Sequence, residues 1–224
     1  MTIRRYSVIL THNRPEMLRE TVDQIAPQCD EVLIVDNASD PPVRYDYLPE
    51  HALIMRVPDQ PPNLARLWNL ALDAIVNHAA AHGAERWDVA LLCDDLDIPE
   101  DWYDRVSRVL RENNASAASG HKHWSPGQFI IKTAPDQDIM NRMAGEAFIL
   151  PGEKGMRADE SMHWWYLDDD IDFQARAADG MVIAPGPGVQ NRQPNYWTVT
   201  KPELSERAGL DAAAFEAKWG RPRW

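Results

Sequence analysis

The sequence predicts an α/β fold in which helices flank a mostly parallel central sheet. Four short apolar runs rich in β-branched residues are typical of strands, and they lie at 6–10, 31–36, 52–57 and 87–94. Segments with helical periodicity separate the first two runs and also the last two. Such alternation of strand and helix favours parallel strands joined by helical crossovers.

Both helical segments carry signals at their ends. Segment 14–26 places its apolar residues on one face, and Asn13 is a candidate N-cap, with Glu16 completing a capping box. Segment 63–83 is rich in alanine and leucine and stops at Gly83, a residue type that favours a helix C-terminus. We therefore expect two well-defined helices between these strands.

Composition excludes several functions. The 224 residues are 44% hydrophobic, which is enough for one large domain, and the net charge of -12 disfavours binding to nucleic acid or anionic membranes. No apolar run approaches the roughly 20 residues that span a bilayer. The N-terminus lacks a signal-peptide pattern, and Cys29 and Cys93 do not form a C-x-x-C motif. We expect a cytoplasmic protein.

Polar stretches follow three of the predicted strands, at 11–14, 36–40 and 94–97. Because the carboxyl ends of parallel strands meet at one edge of a sheet, these stretches should lie on a common rim where a ligand binds. The glycine-rich fingerprints of dinucleotide sites and P-loops are missing. The pattern favours a nucleotide pocket that recognises base and ribose through carboxylates and amides.

Three aspartates crowd the third stretch: Asp94, Asp95 and Asp97. A Mg²⁺ or Mn²⁺ ion bound between such carboxylates and substrate phosphates would explain the crowding. Asp97 has a second interpretation, because Glu100 follows three residues later and the pair could cap the next helix. For Asp94 and Asp95 the alternative to metal or ribose binding is a solvated loop.

A second acidic cluster consists of Asp168, Asp169, Asp170 and Asp172, at the start of a predicted helix that ends near Gly180. Asp168 is the candidate N-cap, and negative charge is favourable in a first helical turn. Aromatic residues directly precede the cluster and suggest a partly desolvated pocket, where a carboxylate could act as a general base. The alternative is a solvated helix N-terminus.

An ordered set of motifs connects these features: "SVILTHNRPEMLRETV", "EVLIVDNAS", "NLARLWNLAL", "LLCDDLDIPEDW", "GEAFILP", "DDDIDFQARAADG" and a late "KWG". In order and spacing the set resembles the family 2 glycosyltransferases, which have the Rossmann-like A-type nucleotide-diphospho-sugar transferase fold. The resemblance covers roughly residues 4–185. Its most specific part is the pairing of "DDLD" with "GEAFILP" and "DDDIDFQAR".

The resemblance implies roles for individual residues. The expected nucleotide-sugar contacts are Thr11, Asn13, Arg14, Asp36, Asn37, Asn63, Arg66, Asn69 and Asp94. The expected ligands of Mn²⁺ or Mg²⁺ are Asp95 and Asp97. The expected general base is Asp170, with Asp169 as the alternative.

The implied reaction is metal-dependent, inverting transfer of a sugar from a nucleoside-diphosphate sugar to an acceptor hydroxyl. The acceptor could be a glycan, a protein, a lipid carrier or a small molecule. We expect a single domain over 1–192, with a nucleotide-binding half over about 1–97 and an acceptor-binding half over about 98–192. A helical extension over 193–224 would follow, and it could pack on the core or shape the acceptor site through Tyr196, Trp197, Lys218 and Trp219.

One departure from the family keeps two other functions open. Many relatives supply a late histidine to the metal, but no histidine follows His163 in this chain, and Gln190, Asn191 and Gln193 occupy that region. A non-catalytic sugar- or protein-binding domain is therefore an alternative. A sugar-1-phosphate nucleotidyltransferase is a second alternative, although the loop after the first strand lacks the glycines expected of that class.

Overall fold

The structure is a computed structural model, and it describes residues 3–58, 60–120, 130–134, 142–193 and 202–220. The strands in these ranges are β1 (Arg4–Thr11), β2 (Glu31–Asp36), β3 (Ala52–Arg56), β4 (Trp87–Leu92), β5 (Leu96–Asp97), β6 (Ala117–Gly120), β7 (Ile130–Lys132), β8 (Ala147–Pro151), β9 (Met181–Ala184) and β10 (Gln190–Asn191). The α-helices are α1 (Pro15–Ile25), α2 (Leu64–Ala81), α3 (Trp102–Glu112), α4 (Leu167–Ala177) and α5 (Pro202–Trp219).

Eight of the strands form one sheet in the order β3-β2-β1-β4-β8-β6-β9-β7. The pairings β1–β2, β1–β4, β2–β3 and β6–β9 are parallel, whereas β8 runs antiparallel to both of its neighbours. The four strands predicted in the first half are all present, and the α/β prediction is confirmed. Strands β5 and β10 pair separately as a short antiparallel ladder.

The helices cover both faces of the sheet, and each face has its own hydrophobic core. One core packs α2, α4 and α5 against the sheet and includes Trp68, Phe148 and Phe173. The other core packs α1 and α3 against the sheet and includes Ile25 and Trp102. Strand β4 is buried along its whole length because both faces are covered.

Three predicted caps are wrong. Arg14, not Asn13, occupies the N-cap position of α1, and the Asn13 side-chain oxygen instead accepts a hydrogen bond of 2.7 Å from the backbone N–H of Asp40. Helix α3 begins at Trp102, so Asp97 lies too early in the chain to cap it. Asn13 and Asp97 each form a hydrogen bond with another partner instead, Asp97 with Arg192.

The third incorrect cap is at α4, where Tyr166 occupies the N-cap position with φ 67° and Asp168 lies inside the first turn. Because the helix starts earlier than expected, Asp168, Asp169 and Asp170 all lie within its first turn. The prediction at Gly83 is confirmed, because this residue follows α2 with φ +64°, a left-handed conformation that favours glycine.

Helix α5 confirms the predicted helix near the C-terminus and packs against the core. Phe215 is fully buried, and its ring centroid lies 5.2 Å from that of Phe173 in α4. Trp219 contacts Phe173 as well, at 5.3 Å between centroids. The connection at 194–201, which includes Tyr196 and Trp197, lies outside the described residues.

Within the ranges that the structure describes, no helix combines the length and apolar character needed to cross a membrane.

Candidate functional site

The three polar stretches meet at the carboxyl ends of β1, β2 and β4, as predicted. Thr11 Oγ1 donates a hydrogen bond of 2.8 Å to Asp94 Oδ2, which joins the first stretch to the third. The backbone N–H of Asn13 donates to Ser39 Oγ at 3.0 Å, which joins the first stretch to the second. Parallel pairing of β1 with β2 and β4 brings these ends together.

Asp94 and Asp95 share one cation. The Arg14 guanidinium lies 3.1 Å from Asp94 Oδ1 and 3.4 Å from Asp95 Oδ2. Burial raises the pKa of Asp94 above its usual value, although the Thr11 hydroxyl and Arg14 oppose the shift. Both carboxylates are largely buried, so the rim carries concentrated negative charge that is only partly neutralised by Arg14.

Asp36 organises the second stretch from within. Its carboxylate is 1% exposed and accepts hydrogen bonds from the backbone N–H groups of Ser39 and Val43, at 2.9 and 3.1 Å, and from Arg56 Nη1 at 2.7 Å. Burial alone would raise the pKa of Asp36, but these hydrogen bonds and the Arg56 charge lower it overall. Asp36 thus shapes the loop, and its expected contact with base or ribose remains a prediction.

Asn37 is also buried, and its side chain donates to the carbonyl oxygen of Val57 at 3.0 Å and accepts from Gln60 Nε2 at 3.2 Å. Beside this loop the structure has a small concave pocket. Its lining includes Thr11, Arg14, Ser39, Pro41, Val43 and Tyr47. The pocket therefore lies between the first two polar stretches, where a nucleoside was expected.

The predicted contacts on α2 hold another segment of the chain. Asn63 caps α2 by accepting from Arg66 N at 3.0 Å, and its amide donates to the carbonyl oxygen of Glu160 at 3.0 Å. Asn69 exchanges hydrogen bonds with the backbone of Ala158. The Arg66 side chain is exposed. Both asparagines therefore tie α2 to the segment that precedes α4.

Asp97 has a different ion-pair partner from Asp94 and Asp95. It lies in β5, and its exposed carboxylate accepts a hydrogen bond of 2.7 Å from Arg192 Nε. Arg192 also lies 3.3 Å from Glu20, and its backbone N–H donates to the carbonyl oxygen of Asp95. Sequence reasoning missed Arg192, which follows Gln190 and Asn191 in the region where the resemblance implied a histidine.

The two aspartates expected to supply the base are both buried. Asp169 is 2% exposed and lies 3.2 Å from Arg142 Nη1. Asp170 is fully buried and contacts Lys218 Nζ at 2.8 Å, Trp219 Nε1 at 2.9 Å and Gln174 Nε2 at 2.6 Å. Lys218 and Trp219 of the late "KWG" motif thus bind the second acidic cluster, a contact that the sequence alone did not indicate.

A short path of contacts connects the two acidic clusters. Cys93, which follows β4, donates its backbone N–H to the carbonyl oxygen of Glu146 at 3.0 Å. Gly145 lies directly against Asp168, because a Cβ added to Gly145 would be 2.0 Å from Asp168 Oδ2. The pKa of the Cys93 thiol is raised by burial and also by the charges of Asp95, Asp94, Glu146 and Asp168. The two clusters therefore lie close to each other at one end of the sheet.

The segment before α4 is held from the other side by α5. Asp211 is fully buried and accepts hydrogen bonds from the backbone N–H groups of His163, Trp164 and Trp165, at 3.0, 2.9 and 2.9 Å. Arg207 forms an ion pair with Asp211 at 2.7 Å. The sequence did not reveal the role of Asp211, since the backbone N–H groups that it binds lie at least 46 residues away.

The acidic rim fits a divalent ion only in part. Among the residues that the structure describes, no three acidic, histidine or cysteine side chains converge as they would in a closed metal site. Asp94 and Asp95 lie together, and carboxylates plus substrate phosphate oxygens suit Mg²⁺ or Mn²⁺. Asp95 is the better candidate, because Thr11 and Arg14 already engage both Asp94 oxygens.

Comparison with known proteins reveals likeness in fold but not in sequence. No protein-family model matches the chain, and no curated protein matches its sequence. A solved mycobacterial protein has a TM-score of 0.65 at 13% identity, over 98% of this chain and 76% of its own. S. aureus TarS 1–349 in complex with UDP-GlcNAc has a TM-score of 0.60 at 11% identity, over 96% of this chain and 67% of its own.

A structure of S. aureus TarS with a longer chain matches with a TM-score of 0.56 at 11% identity. This chain is covered over 99% of its length but spans only 44% of that TarS chain. At such low identity the likeness shows the fold alone. The comparisons therefore define the class at the level of fold, as the α/β fold that this chain shares with TarS.

Proposed function

We propose that the protein is a glycosyltransferase, which moves a sugar from a nucleoside-diphosphate sugar to an acceptor hydroxyl with inversion. The observation that carries the proposal is the contact path from Asp94 and Asp95 through Cys93 and Gly145 to Asp168, which brings the two acidic clusters close together. The fold likeness to TarS in complex with UDP-GlcNAc supports a nucleotide-sugar donor.

The proposed reaction is a single in-line displacement. The acceptor oxygen forms a bond to the anomeric carbon while the bond from that carbon to the diphosphate oxygen breaks on the opposite face. The acceptor proton moves to a carboxylate of the second cluster, and the electron pair leaves with the nucleoside diphosphate. The resemblance implies Asp170 as this base, with Asp169 as the alternative.

The first cluster would bind the donor. Thr11, Arg14 and the pocket beside Tyr47 would contact the nucleoside, and Arg14 would also offer positive charge to the diphosphate. A Mn²⁺ or Mg²⁺ ion, held by Asp95 with Asp97 as the second expected ligand, would neutralise charge on the leaving group. The roles of Asn13, Asp36, Asn37, Asn63, Arg66, Asn69 and Asp94 in donor binding are part of the same proposal.

A non-catalytic sugar- or protein-binding domain is the second candidate. The observation that favours it is the burial of Asp169 and Asp170, which both have partners in the protein. Release of nucleoside diphosphate separates the candidates. A screen of common nucleotide sugars with Mn²⁺ and water as acceptor should give turnover for an enzyme, whereas a binding domain would bind a ligand without releasing nucleoside diphosphate.

Replacement of Asp95 with alanine should reduce the Mn²⁺-linked affinity for UDP about 10–100-fold, because a carboxylate ligand of the metal is lost. Calorimetric titration of UDP, with Mn²⁺ and then with a chelator, measures the effect, and the difference between variant and wild type should vanish without metal. Asp73→Ala, at an exposed aspartate on α2, is the matched control. Equal metal-linked affinity in Asp95→Ala and wild type would remove the metal assignment.

A further inference from the structure

The acidic run at the start of α4 contains one aspartate that differs from the others. Asp169, Asp170 and Asp172 are 2% exposed or less, and each has an arginine or lysine partner. Asp168 is partly exposed, and its carboxylate has no hydrogen bond or ion pair with any residue in the described part of the chain. Of this run, Asp168 is therefore the carboxylate available to a ligand.

The bonding of Asp170 makes it unsuitable as a base. A carboxylate has about four lone-pair sites. In Asp170, Lys218 contacts both oxygens at 2.8 and 3.0 Å, and Trp219 and Gln174 supply two further hydrogen bonds. To accept a substrate proton, Asp170 would have to lose a buried ion pair and leave the core, which is costly.

Asp168 lies near the Asp94–Asp95 pair, where a base for the acceptor hydroxyl is needed. Its carboxylate rests on Gly145, and the position of a Gly145 Cβ would coincide with its atoms, at 2.0 Å from Oδ2 and 2.6 Å from Cγ. Gly145 precedes Glu146, whose backbone holds Cys93 beside the Asp94–Asp95 pair. Asp168 thus lies close to the proposed donor site, and glycine at 145 provides the space that it needs.

We propose that Asp168 is the catalytic base, and that Asp170 instead anchors α5 through Lys218 and Trp219. The assignment rests on the proposed glycosyltransferase function and specifies its acid–base group. Asp168 accepts the proton of the acceptor hydroxyl as the acceptor oxygen bonds to the anomeric carbon. The bond to the diphosphate breaks in the same step, and the departing nucleoside diphosphate carries away the electron pair.

The first test compares Asp168→Asn with Asp170→Asn, using water as acceptor and the nucleotide sugar that wild type hydrolyses fastest. Asp168→Asn should lower kcat at least 100-fold, since general-base catalysis typically contributes that much, while Kd for UDP stays within twofold. Asp170→Asn should lower Tm and retain kcat within about tenfold. Turnover within tenfold of wild type in Asp168→Asn, with a 100-fold loss in Asp170→Asn, would overturn the assignment.

The second test leaves every carboxylate in place. Gly145→Ala should displace Asp168 and lower kcat at least tenfold with little change in Kd for UDP, because the added methyl group occupies the space of the carboxylate. Gly209→Ala is the matched control, since a Cβ there meets no atom within 4 Å. If Gly145→Ala folds and keeps wild-type kcat, the proposed placement of Asp168 is wrong.

The outcome for the wild type distinguishes the two levels of proposal. If the wild type neither binds UDP nor hydrolyses any nucleotide sugar, the glycosyltransferase proposal fails, and the assignment of a base fails with it. If the wild type turns over and Asp168→Asn turns over equally well, only the assignment of Asp168 fails. Asp168→Asn is close to isosteric and lies partly exposed in the first turn of α4, so its folding can be verified by its Tm and its affinity for UDP.

Discussion

Replacement of Arg176 with methionine is expected to lower the free energy of unfolding by about 3–5 kcal/mol, because it leaves the Asp172 carboxylate buried without its cation. The two side chains are 0% and 1% exposed and form hydrogen bonds of 2.8 and 2.7 Å within α4. Burial raises the pKa of Asp172, while the Arg176 hydrogen bonds and charge oppose the shift. Urea unfolding with linear extrapolation measures the loss.

Two controls separate burial from charge. Arg19→Met breaks an exposed pair with Asp23 of the same i,i+4 spacing, and it should cost at most about 1 kcal/mol. The double variant Asp172→Leu/Arg176→Met should recover much of the loss, because an apolar pair leaves no unpaired charge. If Arg176→Met costs no more than Arg19→Met, the pair does not stabilise the fold as argued.

The sheet and its rim could be predicted because both follow from local patterns. Apolar runs such as 31–36 and 87–92 must be buried, and parallel strands joined by helices place their carboxyl ends on one side. The contacts of Thr11 with Asp94 and of Asn13 with Ser39 are consequences of that topology. The hydrophobic pattern therefore predicted where the polar stretches meet. It did not reveal which of their side chains lack a hydrogen-bond partner in the folded chain.

The caps could not be predicted with the same success, because capping residues have competing partners. Asn13 has the right chemistry for an N-cap, but the neighbouring loop offers the Asp40 backbone N–H, and that hydrogen bond forms instead. Asp97 likewise pairs with Arg192, which lies 95 residues later in the chain. Partners this distant are brought together only by the complete fold.

The direction of each aspartate in the run 168–170 depends on the phase of α4. Successive residues in a helix point about 100° apart, so three adjacent aspartates face three different surroundings. The helix begins at Leu167, and in this register Asp170 contacts α5 whereas Asp168 lies against Gly145. A motif aligned by sequence alone, with the boundary uncertain by one or two residues, cannot distinguish these carboxylates.

Replacement of Asp211 with alanine is the second change expected to have a large effect, with a loss of about 3–5 kcal/mol in the free energy of unfolding. Asp211 is fully buried, and its carboxylate accepts three backbone N–H groups, from His163 to Trp165, besides its ion pair with Arg207. Removal leaves those donors without their acceptor and Arg207 without its ion pair. Urea unfolding measures the loss, and amide hydrogen exchange should quicken at 163–165.

Asp211→Asn tests the role of charge in this contact. The amide keeps one acceptor oxygen, so the loss should be smaller than in Asp211→Ala, and Asp73→Asn at an exposed ion pair is the control. If Asp211→Ala has the same free energy of unfolding as the wild type, the Asp211 carboxylate does not stabilise the fold as argued.

The stabilising contribution of Asp211 should also depend on pH. Burial alone would raise the pKa of Asp211, but Arg207 and the three backbone N–H groups outweigh it and lower the pKa below its usual value. A carboxyl whose pKa is lower in the folded state contributes stability above the unfolded pKa, about 3.9, and loses it as pH falls through the folded pKa. The stability difference between wild type and Asp211→Asn, measured by urea unfolding, should therefore be constant from about pH 5 to 7, because this range lies roughly one pH unit or more above the unfolded pKa. It should shrink progressively as the pH is lowered below about 4. A difference that stays unchanged down to about pH 2 would show that the Asp211 charge does not hold the segment.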